Sequence, residues 1–157
     1  MAKKLTAQFD HFEDYTMIGL VCSLKDYKFV FFINKVLELD LKKYEDFQPD
    51  SGGPAYSWYC QKNKSELLTY YVIGNHHSER KLIPSQKSLD YFLLIKYCER
   101  SNVEKIIAKL RNIPNISGVF LIDMNKIKDM NTIIEMHELH ELENVIRLEK
   151  KREQYKN

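Results

Sequence analysis

The sequence predicts an α+β domain: a mostly antiparallel sheet, two helices on one of its faces, and a further helix at the C-terminus. Three observations carry this. Short runs of strand-forming residues alternate with stripes of apolar residues at helical spacing. Residues 55–74 hold two such runs around a polar turn, the pattern of an antiparallel hairpin. Residues 91–123 run strand, helix, strand, which is the length and order of a βαβ crossover. The resulting order, β-α-β-β-β-α-β, matches a ferredoxin-like split βαβ layout with one additional strand.

Each element has its own signal. Tyr15 to Cys22, YTMIGLVC, reads as the first strand. Ser23 and Asp26 then form an S-x-x-D pattern, in which side-chain oxygens satisfy the free amides of a new helix. Phe29, Val30, Phe32, Ile33, Val36 and Leu37 follow at helical spacing. Residues 40–54 change to charge and then to PDSGGP, a loop signal. Ala55 to Gln61 and Leu67 to Gly74 form the hairpin, turned by Lys62 to Ser65, and NHHSERK at 75–81 reads as a polar loop. Pro84 lacks an amide donor and fixes its own φ, so it suits the turned approach to a strand. Tyr91 to Cys98, YFLLIKYC, is apolar nearly throughout. A strand with one wet face would alternate, so this one is expected to be an inner strand covered on both faces. Ser101 to Glu104, SNVE, reads as a capping box ahead of Val103, Ile106, Ile107 and Leu110. Pro114 and Asn115 end that helix, and Gly118 to Asp123 supplies the last strand. From Asn131 to about Gln154 a long helix carries a narrow stripe of Ile133, Met136, Leu139, Leu142 and Val145 or Ile146.

In domain terms, residues 1–14 read as a flexible lead-in and 15–128 as one domain. Residues 129–157 read as the C-terminal helix, its charged last turns frayed. A chain of 157 residues can bury about 68–70% of its unfolded surface, so neither metal nor disulfide is needed to hold it. Three widely separated cysteines, Cys22, Cys60 and Cys98, form no CxxC pair and suit a reducing, cytoplasmic setting. The first fifteen residues lack the apolar core of a signal peptide, and no apolar run approaches membrane-spanning length. Net charge is +2. From Arg147 onward five basic residues face two acids, so the body of the chain carries −1 and lacks the basic footprint of a nucleic-acid binder.

Few residues are placed for chemistry. His137, Glu138, Leu139, His140 and Glu141 superficially resemble H-E-x-x-H, but that motif needs histidines at i and i+4 and these stand at i and i+3. A solvated helix face is the expectation there, and His76-His77 sits in a polar loop. No phosphate-binding glycine motif and no nucleophile elbow is present. Neither a cofactor nor a metal is therefore expected, and catalysis has no sequence signal. Asp90 and Tyr91, at the mouth of the inner strand, are expected to be joinery: a carboxylate fixing the turn after Pro84, and a ring on the core edge with its hydroxyl in water.

The stretch from Ile83 and Pro84 to Leu89, Asp90 and Tyr91, IPSQKSLDY, resembles the I-P-E-x-x-x-V-D-Y pattern of the IPExxxVDY proteins of Bacteroidota. Supporting matches are Ile18 to Val21, Leu24 to Lys28, Ile33 to Lys35 and Tyr91 to Ile95, so the resemblance spans roughly residues 12–125. Ser85 stands where the family has glutamate, and Leu89 where it has valine. The resemblance implies a bacterial cytoplasmic protein and brings no activity with it.

The hairpin aromatics suggest a surface. Tyr56 and Trp58 share one face of their strand and Tyr59 takes the other, so both sheet faces hold large rings. Two helices can cover one face. The other needs the C-terminal helix, a second copy of the chain, or a ligand. Tyr56, Trp58, Tyr70, Met136 and Leu139 are thus the candidate contact residues for a protein partner or a homo-oligomer. A regulatory domain sensing a small molecule, coarsely like ACT domains, is the alternative. RNA stacking on the sheet is disfavoured because the RNP1 pattern is absent.

Overall fold

The computed structural model describes residues 12–62 and 68–155. It contains a six-stranded sheet, with helices on both faces. Strands β1 (Tyr15–Cys22), β2 (Lys42–Lys43), β3 (Trp58–Lys62), β4 (Thr69–Gly74), β5 (Tyr91–Lys96) and β6 (Ile116–Leu121) lie in the order β2-β3-β4-β5-β1-β6. Helix α1 (Asp26–Leu37) follows β1, and α2 (Arg100–Leu110) joins β5 to β6. The C-terminal arm is α3 (Met130–Glu141), a π-helical turn (Leu142–Ile146) and α4 (Arg147–Tyr155).

Every neighbouring pair of strands is antiparallel. Because β5 and β6 both pair with β1, they run parallel to each other with β1 between them. That is the split βαβ crossover expected from residues 91–123. The four strands β4, β5, β1 and β6 with α1 and α2 form the ferredoxin-like unit, and β3 and β2 extend it. The fold class read from the sequence is therefore the observed one. The sixth strand, β2, was not foreseen. It is two lysines long, and residues 40–54 read as loop because two lysines show no alternation.

The sheet separates two apolar layers. On one face Phe29, Val30 and Ile33 of α1, with Ile106 and Leu110 of α2, pack on Ile18, Leu20, Val72, Leu93 and Ile95. On the other, Met130, Ile134 and Val145 of the C-terminal arm pack on Met17, Trp58, Tyr71, Ile73, Phe92 and Leu94. Strand β5 sends Phe92 and Leu94 to one layer and Leu93 and Ile95 to the other, as its unbroken apolar run predicts. Burying one such side chain contributes roughly 1.5–3 kcal/mol, so this central strand carries a large share of the stability.

Both capping patterns fail. The residue before α1 is Lys25 and the residue before α2 is Glu99, and neither caps with its side chain. The helices simply begin elsewhere: α1 starts at Asp26 itself, and α2 starts one residue ahead of Ser101. Asp26 still favours the helix start, since an acid in the first turn complements the helix dipole. Its carboxylate accepts a hydrogen bond from Tyr59 Oη at 3.0 Å and lies 3.6 Å from Lys43 Nζ. Of the expected lead-in, residues 1–11 lie outside the described residues, as do Asn63 to Ser65 of the hairpin turn. Phe12 is buried in the core.

Candidate functional site

The segment before β5 is built as joinery. Asn75, wholly buried, holds it together. Its side-chain amide donates to the carbonyls of Leu89 (2.8 Å) and Gln86 (3.0 Å), and its Oδ1 accepts from the Ile83 amide at 2.9 Å. Ile83 and Leu89 are buried, and Pro84 opens a 3-10 turn, Pro84–Gln86. Leu89 lies across β1 at Gly19, where a Cβ would come within 2.3 Å of Leu89 Cδ1, so no larger residue fits without a shift. Asp90 Oδ2 accepts from the Cys22 amide at 2.7 Å, while the Asp90 amide donates to the Leu20 carbonyl at 2.8 Å. The carboxylate thus fixes the end of β1 against the start of β5. Its other oxygen meets His76 Nε2. Tyr91 departs from expectation in one respect. Its hydroxyl is not in water but donates to the Leu24 carbonyl at 2.6 Å, and its ring stacks on Phe29 at 4.3 Å. Burial, with the nearby Asp26, Cys22 and Asp90, holds that phenol above its ordinary pKa.

The largest correction concerns the hairpin rings. Trp58 is 0% exposed and Tyr56 1%, so neither offers a contact surface. The chain's own C-terminal arm covers Trp58, while the Tyr56 hydroxyl donates to the Arg80 carbonyl at 3.0 Å and its ring meets His77 in the loop after β4. That arm is also rotated from its expected seat: the buried line is Met130, Ile134, His137, Glu141 and Val145. Leu139 and Leu142 of the expected stripe point outward, and Met136 is half-buried at the margin. The reason lies in the sheet face beneath, whose rings carry polar tips. Trp58 Nε1 donates to His137 Nδ1 at 3.3 Å, and Tyr71 Oη donates to a Glu141 carboxylate oxygen at 2.6 Å. His137 also meets the Tyr71 ring edge-on at 4.4 Å. A histidine and a glutamate can therefore face the core where a leucine stripe was expected. Burial, then the neighbouring His140 and Lys96, lower the His137 pKa to about 3, so the ring is neutral. Burial raises Glu141, partly offset by the Tyr71 hydrogen bond and by Lys96. The seam is not fully satisfied. Among the described residues, buried Tyr15 Oη and His137 Nε2 meet no hydrogen-bond partner, which costs about 1–3 kcal/mol each.

His137 and His140 do not converge. Both rings pack on Trp58, His140 edge-on at 4.6 Å, but their nitrogens go to different partners: His137 Nδ1 accepts from Trp58 Nε1, while His140 Nε2 lies 2.9 Å from the Glu45 carbonyl oxygen. Among the described residues no group of three or more His, Cys, Asp or Glu side chains is arranged to hold a metal ion. Tyr70 lies on the opposite sheet face, half-buried in a cleft of about 460 Å³ beside α2.

Of the candidate contact residues Leu139 alone is exposed, and most of the large apolar side chains that face outward lie elsewhere. On α1, Tyr27 is 58% exposed and Phe31 61%. They flank an apolar cleft of about 590 Å³ completed by Leu24, Lys28, Phe32, Pro114 and Asn115. One observable signal lay in the sequence. Positions 27 and 31 are one helical turn apart and outside the buried set of Phe29, Val30 and Ile33, so an aromatic pair there must face away from the core.

No protein-family model matches the chain, and no curated protein matches it. No described helix is long and apolar enough to cross a membrane.

Proposed function

We propose that the chain is a non-catalytic binding or adaptor module of a bacterial cytoplasm, related to the IPExxxVDY proteins, that acts by protein–protein contact. The observation that carries the reading is the exposed pair Tyr27 and Phe31 over an apolar cleft. Large aromatics in a cleft are the residues that give binding energy once a partner covers them. Lys28 lines the cleft, and Lys25 stands just ahead of α1. The one acid in the first turn, Asp26, is already engaged by Tyr59 and Lys43. The matching partner is a polypeptide segment with a bulky apolar side chain next to an acid. The family resemblance supports the setting: Ile83, Leu89, Asp90 and Tyr91 each have a packing or hydrogen-bonding role.

Catalysis is disfavoured by placement. A general acid or base must reach a substrate proton, and His137 and Glu141 lie beneath α3 with their donors and acceptors turned to Trp58 and Tyr71. Small-molecule sensing draws on the same α1 cleft, which has a ligand's volume. However, such sites enclose most of their ligand, and here the two rings that would grip it stand more than half exposed.

The test is a comparison of proteins retained from host extract by the wild type and by Phe31→Asp and Tyr27→Asp. A partner held by the wild type and lost from both variants, with unchanged thermal unfolding, is expected. Identical retention by all three would refute contact at this cleft.

A further inference from the structure

The two edges of the sheet are finished differently. The β2 edge is two residues long and both are lysines. That is how proteins blunt an edge against pairing with another chain. The β6 edge is six residues long, ISGVFL, with no charge and no proline. Among the described residues, nothing pairs with its outer side. After a register shift where Cys22 meets Ile116, it pairs regularly with β1 from Gly118 to Leu121. Phe120 is 52% exposed on one sheet face and Leu121 59% on the other. A strand that is apolar on both faces is the pattern of an inner strand, yet β6 stands at the margin.

We propose that β6 pairs antiparallel with β6 of a second copy of this chain, joining the two sheets into one across a two-fold axis. Three features select a second copy as the occupant. All strand pairs in the sheet are antiparallel, and an antiparallel continuation about a two-fold is the self-complementary, closed form of contact. The strand is uncharged, so two copies meet without like-charge repulsion. Its pattern is also self-matching. With Val119 on the axis, residues two apart about it face each other, so Phe120 of one copy stands opposite Gly118 of the other. In the single chain the Phe120 ring already folds over its own Gly118, where a Cβ would lie 2.7 Å from the ring. That ring already fills the space over Gly118, so on pairing each Phe120 meets the other copy's Phe120 beside the two glycines. The surface differs from the α1 cleft, so this inference stands without the reading given above.

Sedimentation and light scattering over a wide concentration range, with hydrogen exchange at β6, test it. The wild type should reach dimer mass, with β6 amides slowing as concentration rises. Phe120→Lys and Leu121→Lys place on this edge the residue type that blunts the other. Each should weaken the dimer at least about tenfold, equivalent to about 1.4 kcal/mol, while thermal unfolding of the dilute protein stays unchanged. Phe31→Asp should leave the dimer intact. A wild type that stays monomeric at all concentrations overturns the proposal. So does a dimer that survives both lysine variants, and so does one abolished by Phe31→Asp alone, which would place the contact at the α1 cleft.

Discussion

Tyr56, Trp58 and Tyr71 on one side, and Tyr27, Phe31 and Phe120 on the other, are similar side chains with opposite fates. The first set is at most 1% exposed, the second more than half. Residue type does not decide between them. The cover does: α3 and its π-helical turn lie over Trp58 and Tyr71, the loop of residues 75–81 closes on Tyr56, and no described element lies over the second set. The inner rings are therefore structural and the outer ones are free to make contact. The two sets should separate cleanly when each is perturbed.

The largest effect is expected at Trp58. Trp58→Ala empties the centre of its layer and strips the donor from His137, at roughly 3–5 kcal/mol in urea unfolding. A loss below about 1 kcal/mol would mean that the ring is not enclosed. Next is Asn75→Ala, which leaves the Ile83 amide and the Leu89 carbonyl buried without partners. A cost of roughly 2–4 kcal/mol is expected by the same method. At the other end, Phe31→Asp and Phe120→Lys should change stability by no more than about 0.5 kcal/mol, because they lie on the outside.

Between these comes a pH effect that only the covered seam can produce. The folded pKa of His137, about 3, lies below its ordinary 6.5. Its contribution is therefore complete above about pH 6.5 and is lost as pH falls toward 3, with a slope of up to about 1.4 kcal/mol per pH unit. Glu141 works in the opposite sense. Its raised pKa favours the folded state below its ordinary 4.5 and less so as pH rises, which softens the slope. His140, Lys96 and Glu138 lie close by and contribute to the field. His137→Gln keeps an acceptor for Trp58 and should flatten the acid limb of a stability–pH curve. An unchanged limb would place His137 in solvent.

How much of this the sequence disclosed follows from the range of the forces involved. Strand β5 was legible because a run apolar on both sides has one good explanation. The split crossover was legible because spacing and handedness rules leave few alternatives. The helix starts were misread because S-x-x-D and S-x-x-E are local patterns, and here the helices begin one to three residues away from them. The C-terminal stripe was misread for a different reason. Counting apolar positions assigns His137 and Glu141 to water, and only the indole and phenol across the sheet make them good core residues. That information sits 79 and 70 residues away in the chain. Asn75 was hidden likewise, since a buried asparagine in a polar-looking loop is recognisable only once its three partners are in place. The aromatic richness of the hairpin was read correctly as needing a cover, but which cover could not be read before α3 was placed.

Trp58 is the only tryptophan in the chain, so its fluorescence reports on the covered face without ambiguity. Acrylamide quenching of the native protein tests the division between inner and outer rings most directly. Blue-shifted emission that acrylamide barely reaches, at every protein concentration and until unfolding, is the expected result. Emission like that of free tryptophan, freely quenched in the native state, would contradict it and return the hairpin face to the surface.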